Sequence, residues 1–322
     1  MAATLTDVAR RAGVSLATAS RAFGEPDRLA PATRQRVLDA AAELGYATPH
    51  AAAAEKTFAV IVPDVASPVY ATLLKGVQKE AWHGRHTTVL FDADENLNRE
   101  RELIARARAF DGMILCSPRL PAEEVLSLAG DAPFVVLNRI IDGARCIVMD
   151  TDHGPRQAVE HLFALGHRHI AYAAGPEKSW ADVRRGSAVQ NACERLGIRF
   201  TRLHHQAASI QGGRAAAATV IASGATAVIA YNDLIALGIE AGIADLGRSC
   251  PEDLSIVGND DIDMASAQQP GLTTVRVAIE RSGALGVEEL LRAISGAAPT
   301  GTVDLESQLI VRGSTAPPRA GA

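Results

Sequence analysis

Residues 5–23 read LTDVARRAGVSLATASRAF, two helical signals separated by one glycine. Thr4, with Asp7 three residues on, has the form of a capping box, in which each side chain satisfies a free amide at a helix start. Leu5, Val8, Ala9 and Ala12 then recur at helical spacing and make one apolar face. Gly13 ends the segment, as glycine does where the backbone must turn left-handed. Ser15 is placed to cap the next helix, in which Ala19, Ala22 and Phe23 face inward and Leu16, Ala17, Ser20 and Arg21 face outward. Two helices so joined, the second with its N-terminal face exposed, have the geometry of a helix-turn-helix.

A third helix follows. Pro31 stands in its first turn, Val37, Leu38, Ala41 and Leu44 share a face, and Gly45-Tyr46 closes it. The pattern DVARRAGVS…TASRAF…TRQRVLDAAAELGY closely resembles the DNA-binding headpiece of the lactose-repressor (LacI/GalR) family, over about forty positions and not one short motif. The resemblance implies a homodimer, or a tetramer, that sets one recognition helix per half-site in the major groove of a near-palindromic operator. The residues it places at the DNA are Ser15, Leu16, Ala17, Thr18, Ser20, Arg21, Thr33 and Arg34. Arg21 is the best direct reader, because its planar fork matches guanine O6 and N7. Leu16 and Ala17 stand where the family reads bases and, being apolar, can only touch a thymine methyl or exclude a bulkier arrangement. Thr33, Arg34 and the amide end of the third helix are suited to phosphates. Ala30 stands where relatives often carry a capping serine.

The chain has 322 residues, enough for about two domains. With 48% hydrophobic and 21% charged residues it has the material for large cores. It contains no apolar run of about 18 residues and no secretory pattern at the N-terminus, so the expectation is a cytoplasmic protein with no membrane span. Cys116, Cys146, Cys193 and Cys250 are scattered without CxxC spacing and fit buried thiols better than a disulfide frame or zinc site. Net charge is −5, and through Lys56 seven basic side chains face six acidic ones. One headpiece is therefore weakly basic, and two are needed for useful phosphate attraction.

From Phe58 the pattern changes to short apolar runs alternating with amphipathic helices. Strands are expected at 58–62, 88–91, 113–115, 134–137 and 147–149, then at 170–173, 227–230, 255–257 and 308–311. Helices are expected at 70–83, 98–110, 155–165, 183–196, 210–223 and 234–246. Such alternation means parallel sheets covered on both faces, and nine strands are too many for one small sheet. The expected class is α/β: an all-α headpiece followed by two parallel-sheet lobes. AVEHLFALGHRHIAYAAGP, TAVIAYNDLIALGI and PEDLSIVGNDDI…LTTV extend the family resemblance, which implies a type I periplasmic-binding-protein-like effector domain crossed three times by the chain. The expected organisation is a headpiece at 1–48, a hinge linker at 49–57, an effector-binding and dimerisation domain at 58–313 and a disordered tail at 314–322. Lobe one would take 58–149 and 278–296, lobe two 150–277 and 297–313.

Small molecules bind beyond the carboxyl ends of strands in open parallel sheets. That rule selects Asn138, Arg139, Asn232, Asp233 and Asp260. Carboxylates accept from paired hydroxyls and arginines donate in a fork. By motif the resemblance assigns effector contacts to Asp260, Asn232 and Asn138, and to Arg185 or its neighbour Arg184 in SWADVRRGSAV. Asn259 replaces the family's usual aromatic and Ala188 its glycine. Trp180 and Tyr70 could stack on a sugar or base, or simply pack, and Asp233 could equally cap a helix.

No GxGxxG, P-loop or GxSxG is present, and His161, His167, His169, His204 and His205 lack accompanying metal-ligand residues. No catalytic residue, metal or cofactor is expected. The linker from His50 to Lys56, HAAAAEK, is short and lacks the leucine with which relatives wedge the minor groove, so the expectation is weaker operator bending, or coupling of effector to DNA without a folded hinge helix. The function expected is a repressor governed by a sugar or nucleoside-like effector. The alternative, a solute-binding protein without regulatory role, does not account for the headpiece.

Overall fold

The computed structural model describes residues 3–24, 29–46, 55–149, 151–298 and 301–319. The chain divides into two units. The first contains α1 (Leu5–Ala12), α2 (Leu16–Gly24) and α3 (Pro31–Glu43). The Thr4–Asp7 capping box forms in both directions, Asp7 N donating to Thr4 Oγ1 at 3.3 Å and Thr4 N to the Asp7 carboxylate at 3.0 Å. Gly13 adopts φ 65° and returns its N–H to the carbonyls of Ala9 and Arg10, which frees α2 to start in a new direction. Val8, Ala9, Ala19, Ala22, Val37, Ala40 and Ala41 make a core of mostly small side chains, bordered by Phe23 and Tyr46. Leu44, expected inside, is 37% exposed. The third helix turns Ala40 inward in its place, since small residues let the helices approach. The hinge linker expected at 49–57 lies outside the described residues as far as position 54.

The second unit opens with β1 (Thr57–Val62), α4 (Pro68–His83), β2 (Thr87–Asp92), α5 (Leu97–Ala107), β3 (Gly112–Cys116), α6 (Ala122–Ala129), β4 (Phe134–Leu137) and β5 (Arg145–Met149). The chain then enters lobe two with α7 (His153–Ala164), β6 (His169–Ala173), α8 (Trp180–Leu196), β7 (Arg199–Arg202), α9 (Ile210–Ala222), β8 (Ala227–Ala230), α10 (Asp233–Asp245), β9 (Ser255–Asp260), α11 (Asp263–Ala267) and β10 (Thr273–Val277). It returns through α12 (Ile279–Ile294) and β11 (Thr302–Leu305), and ends in lobe two with β12 (Ser307–Ile310). The sheets run β2-β1-β3-β4-β5-β11 and β7-β6-β8-β9-β10-β12, the same order twice, as expected for two similar lobes. The pairs β1–β3, β3–β4, β4–β5, β5–β11, β6–β7, β6–β8, β8–β9 and β9–β10 are parallel, and β10 with β12 is antiparallel. The central strands β3, β5, β8 and β9 are buried throughout, which is why they read as continuous apolar runs.

Three expectations are corrected. β7, β10 and β11 were not anticipated: β7 (RFTR) and β11 (TVDL) are half-exposed edge strands with mixed polarity, and β10 opens on two threonines. Second, 301–305 does not belong to lobe two. β11 pairs with β5 of lobe one, Val303 opposite Ile147, so the third crossing falls at Glu306. Third, the tail from 314 is tied down as far as 319. Ser314 is fully buried, donating through Oγ to Ile256 O at 2.6 Å and accepting from Thr273 N at 2.8 Å. Ala316 exchanges hydrogen bonds with Ser255 Oγ, both at 3.0 Å.

Three of the histidines are structural. His167 is 1% exposed and bridges Thr226 Oγ1 to Ala316 O, at 2.8 and 3.0 Å. His161 reaches Thr315 Oγ1, and His169 reaches Thr201 Oγ1 and Gly224 O. All three staple loops of lobe two. Among the described residues no helix is long and apolar enough to cross a membrane.

Candidate functional site

In each sheet the strand order reverses once, between β1 and β3 and between β6 and β8, and such switch points open a crevice beyond the strand ends. Both crevices face one inter-lobe cleft. Lobe one contributes Asp64, Tyr70, Glu95, Arg119 and Asn138, and lobe two contributes Arg185, Tyr231, Asn232 and Asp260. Four of these strand-end positions or their neighbours carry non-glycine residues in left-handed backbone: Glu95 (φ 49°), Ser117 (46°), Asn138 (57°) and Asp260 (113°). Such conformations persist where the surroundings enforce them, and they gather at binding sites.

In lobe two, α8 starts at Ser179, whose Oγ accepts from Asp182 N, and carries Arg185 inward one turn later. Arg185 is 4% exposed, donates to Tyr231 O at 2.8 Å, meets Asp260 Oδ1 at 3.4 Å and lies 5.1 Å over the Tyr231 ring. Burial alone would lower its pKa, but Asp260 and the nearby tyrosines raise it further, so the guanidinium is charged. Burial pushes the Asp260 carboxyl up, against the pull of Arg185 and of the Asn259 amide at 2.8 Å. The Asn259 that stands in place of an aromatic thus serves the carboxylate.

Asn232 caps α10, its Oδ1 accepting from Ile235 N at 3.0 Å, which leaves its amide NH2 for the cleft. Asp233 neither caps nor faces a ligand. Its carboxylate accepts from Thr274 Oγ1 at 2.5 Å and Ile262 N at 2.9 Å, pinning the turn after β9. It fits only because residue 258 is glycine: a Cβ there would lie 2.1 Å from Asp233 Oδ1. Burial, then Asp260, pushes the Asp233 carboxyl up to about 8.

In lobe one, Asn138 donates to Ser117 Oγ at 3.0 Å while its Oδ1 is buried with no partner among the described residues. Arg185 Nε is in the same condition. Tyr70 hydrogen-bonds Ser117, and burial drives its hydroxyl pKa up. The sequence reading missed Arg119 and Glu95. Arg119 is 8% exposed and holds Glu95 in a two-pronged ion pair at 2.7 and 2.9 Å, with a third bond to Ser117 O at 3.0 Å. Both follow strands, β3 and β2, so the strand-end rule would have found them had it been applied to every strand.

Two expected residues, Arg139 and Trp180, do not reach the inner cleft. Arg139 folds onto the carbonyls of Pro118 and Leu120, at 2.8 and 2.5 Å, and borders a neighbouring cavity with Trp180. Arg184, the rival of Arg185, is exposed and lies over the Trp180 ring at 5.8 Å. Among the described residues no group of His, Cys, Asp or Glu is placed to hold a metal ion.

In the first unit, Leu16 is 51% exposed and Ser15, Ala17, Ser20 and Arg21 are also exposed. Thr18 is half-buried and committed to Ser15, accepting or donating at 2.8 Å between hydroxyls while its N–H donates to Ser15 Oγ at 3.1 Å. Arg34 is exposed and Thr33 half-buried on the first turn of α3, where Ala30 supplies no side-chain cap.

Comparison with known proteins agrees with this arrangement. The profile of bacterial regulatory proteins, lacI family, matches residues 4–49, and that of the periplasmic binding protein-like domain matches residues 159–315. The chain is 32% identical to the HTH-type transcriptional regulator GalS of Salmonella typhimurium over 317 residues, covering 94% of this chain and 92% of the relative. It is 30% identical to the transcriptional repressor CytR of Escherichia coli K12, covering 98% and 96%. Among solved structures, the lac repressor dimer bound to operator and the anti-inducer ONPF aligns at TM-score 0.74 with 27% identity, over 98% of this chain and 100% of that one. A LacI family regulator from Enterococcus faecium with bound ribose aligns at 0.73 with 32% identity, over 81% and 99%. A two-lobed binding fold behind a helix-turn-helix defines a class of ligand-responsive transcription regulators. The chain belongs to the LacI family. It is a DNA-binding transcription regulator and not an enzyme.

Proposed function

We propose that the protein is a cytoplasmic repressor, acting as a homodimer, whose affinity for a near-palindromic operator is set by a sugar or nucleoside-like effector held in the inter-lobe cleft. The observation that carries this is the pair of buried polar atoms without partners among the described residues, Asn138 Oδ1 and Arg185 Nε, one on each lobe of the same cleft. Leaving such atoms unsatisfied costs about 1–3 kcal/mol each, and a hydroxyl can both donate to the amide oxygen and accept from the guanidinium. Tyr70, Asn232 and Asp260 complete the polar lining. The lining carboxylates Asp64, Glu95 and Asp260 outnumber the cations Arg119 and Arg185 by one, which favours a neutral ligand over an anion. An effector that bridges the lobes favours one lobe arrangement, and by linkage operator affinity must change by the same factor as effector affinity.

At the DNA, Arg21 reads a guanine and Leu16 and Ala17 make apolar contacts, while Arg34, Thr33 and the open first turn of α3 hold phosphates. Ser15 and Thr18 act through the start of α2. A thermal-shift screen of the full chain against sugars, sugar phosphates and nucleosides tests the cleft: a specific ligand raises Tm with its concentration, and Asp260→Ala and Arg185→Ala abolish the rise. A hit whose rise survives both substitutions places the effector elsewhere. Operator affinity measured across salt concentrations tests the headpiece, because phosphate contacts make binding fall steeply with salt.

A further inference from the structure

The loop after β3, residues 117–120, delivers two groups to the cleft. Ser117 bonds Asn138 and Tyr70, and Arg119 holds Glu95. Ser117 stands in left-handed backbone at φ 46°, a conformation that a serine keeps only where its surroundings enforce it. Two ionic side chains do so here. From the first turn of α5, the Glu100 carboxylate meets consecutive amides. Arg119 N donates to its two oxygens at 3.0 and 3.1 Å, and Leu120 N donates to it as well. From the end of β4, Arg139 Nη1 donates to Pro118 O at 2.8 Å and to Leu120 O at 2.5 Å. One group takes the loop's N–H bonds and the other its carbonyls.

The two charges also depend on each other. Glu100 is 4% exposed, and burial pushes its carboxyl pKa up, while the two amides, then Arg119 and Arg139, pull it down. Burial lowers the Arg139 pKa and Glu100 raises it. The space behind the loop, bordered by Glu95, Glu100, Ile104 and Ser117, is about 10 Å³, the lower limit for a single water. Water therefore has little room to take over a lost partner, and a loop amide deprived of Glu100 is left unpaired. Both side chains lie outside the set of residues that borders the inner cavity.

We infer that Glu100 and Arg139 are positioning residues: they clamp the 117–120 backbone in the conformation that aims Ser117 and Arg119 into the cleft, and so set effector affinity without touching the effector. This rests on the effector reading above and adds to it two residues that act through the loop. It also gives Arg139, expected at the ligand, a different task.

Two measurements on the full-length protein test the clamp. Hydrogen exchange of the effector-free chain reads the loop itself. Glu100→Gln offers the two amides one acceptor oxygen in place of two, so Arg119 and Leu120 should exchange about tenfold faster while β1 is unchanged. Isothermal titration with ribose, galactose and cytidine reads the cleft. Whichever probe the parent binds, Glu100→Gln and Arg139→Met should weaken it about tenfold. Arg139→Lys, whose ammonium can still donate to both carbonyls, should stay within about threefold. Operator binding reports that the variants are folded. A lower Tm with probe affinity within about twofold of the parent would make the two residues supports of stability alone and overturn the inference. Loss of binding in Asp260→Ala would still uphold the effector reading in that case. Unchanged exchange at Arg119 and Leu120 in Glu100→Gln would overturn the clamp as well. No binding of any probe by the parent, with operator binding intact, would overturn the effector reading and the effect on affinity with it; the exchange rates would still decide whether Glu100 holds the loop.

Discussion

Arg185 and Asp260 illustrate how a site stores interaction energy at the level of single residues. Their ion pair is nearly out of solvent, 5% and 7% exposed, yet its one contact is long at 3.4 Å. Removing either partner strands the other charge, which costs about 3–5 kcal/mol for a buried pair. Arg185→Ala is therefore expected to lower Tm markedly, and adding Asp260→Asn should recover part of the loss. Equal and additive losses in the double variant would show that the pair is not coupled. Asp233 has a different signature. Its folded pKa of about 8 lies above the ordinary carboxyl value of 3.8, so the folded protein holds the extra proton. The stability it contributes is complete below about pH 4 and is lost as pH rises through about 8. Asp233→Asn can still accept from Ile262 N and donate to Thr274. Its Tm should fall by about 10 °C less than that of the parent between pH 5 and pH 8, and parallel profiles would contradict this assignment.

At the level of elements, the start of α3 is the informative case. α1 begins with a complete capping box, while α3 begins at Ala30 with no side-chain cap. Ala30→Ser would let a hydroxyl accept from Thr33 N, the residue three ahead, and stabilise the helix by about 1 kcal/mol. Hydrogen exchange of the first-turn amides of α3 should slow about fivefold, and unchanged exchange would mean that the helix start is already fixed by other contacts. The edge strands show where local reading fails. β7 and β11 each present one half-exposed face with arginine, threonine or aspartate, so neither has the apolar run that marked β3 or β8. α6 and α11 are short, and α11 covers only five residues.

Across the second unit, the last segment of the chain closes the fold. Residues 314–319 run along lobe two, with Ser314 between β9 and β10, Ala316 on Ser255 and His167, and Arg319 on Asp253 at 2.5 Å. Truncation after Gly313 would leave Ser255 and Thr273, both nearly fully buried, without these partners. Two buried groups left unsatisfied should cost about 2–6 kcal/mol and lower the Tm of the full chain; an unchanged Tm would mean the tail is ornamental. Burial holds the His167 pKa below its ordinary value, so this latch is complete above the unfolded pKa near 6.5 and weakens as acid protonates the ring.

Much of this architecture was legible in the residues alone, because helices and caps are local. Thr4 with Asp7, Gly13, and the outward set Leu16, Ala17, Ser20 and Arg21 involve partners at most five residues apart, and the headpiece followed from them. Asn138, Asn232 and Asp260 were legible too, since each stands at the end of a buried apolar strand or within two residues of it. What local pattern could not show is which strand ends become neighbours. The Arg185–Asp260 pair spans 75 positions and the Arg145–Glu289 pair 144. The convergence of Arg119 and Arg185 on one cleft and the pairing of β11 with β5 depend on such distant contacts. They were decided only when two sheets of the same strand order were closed against each other, because burial and hydrogen-bond satisfaction are properties of the assembled surfaces and not of any one stretch of chain.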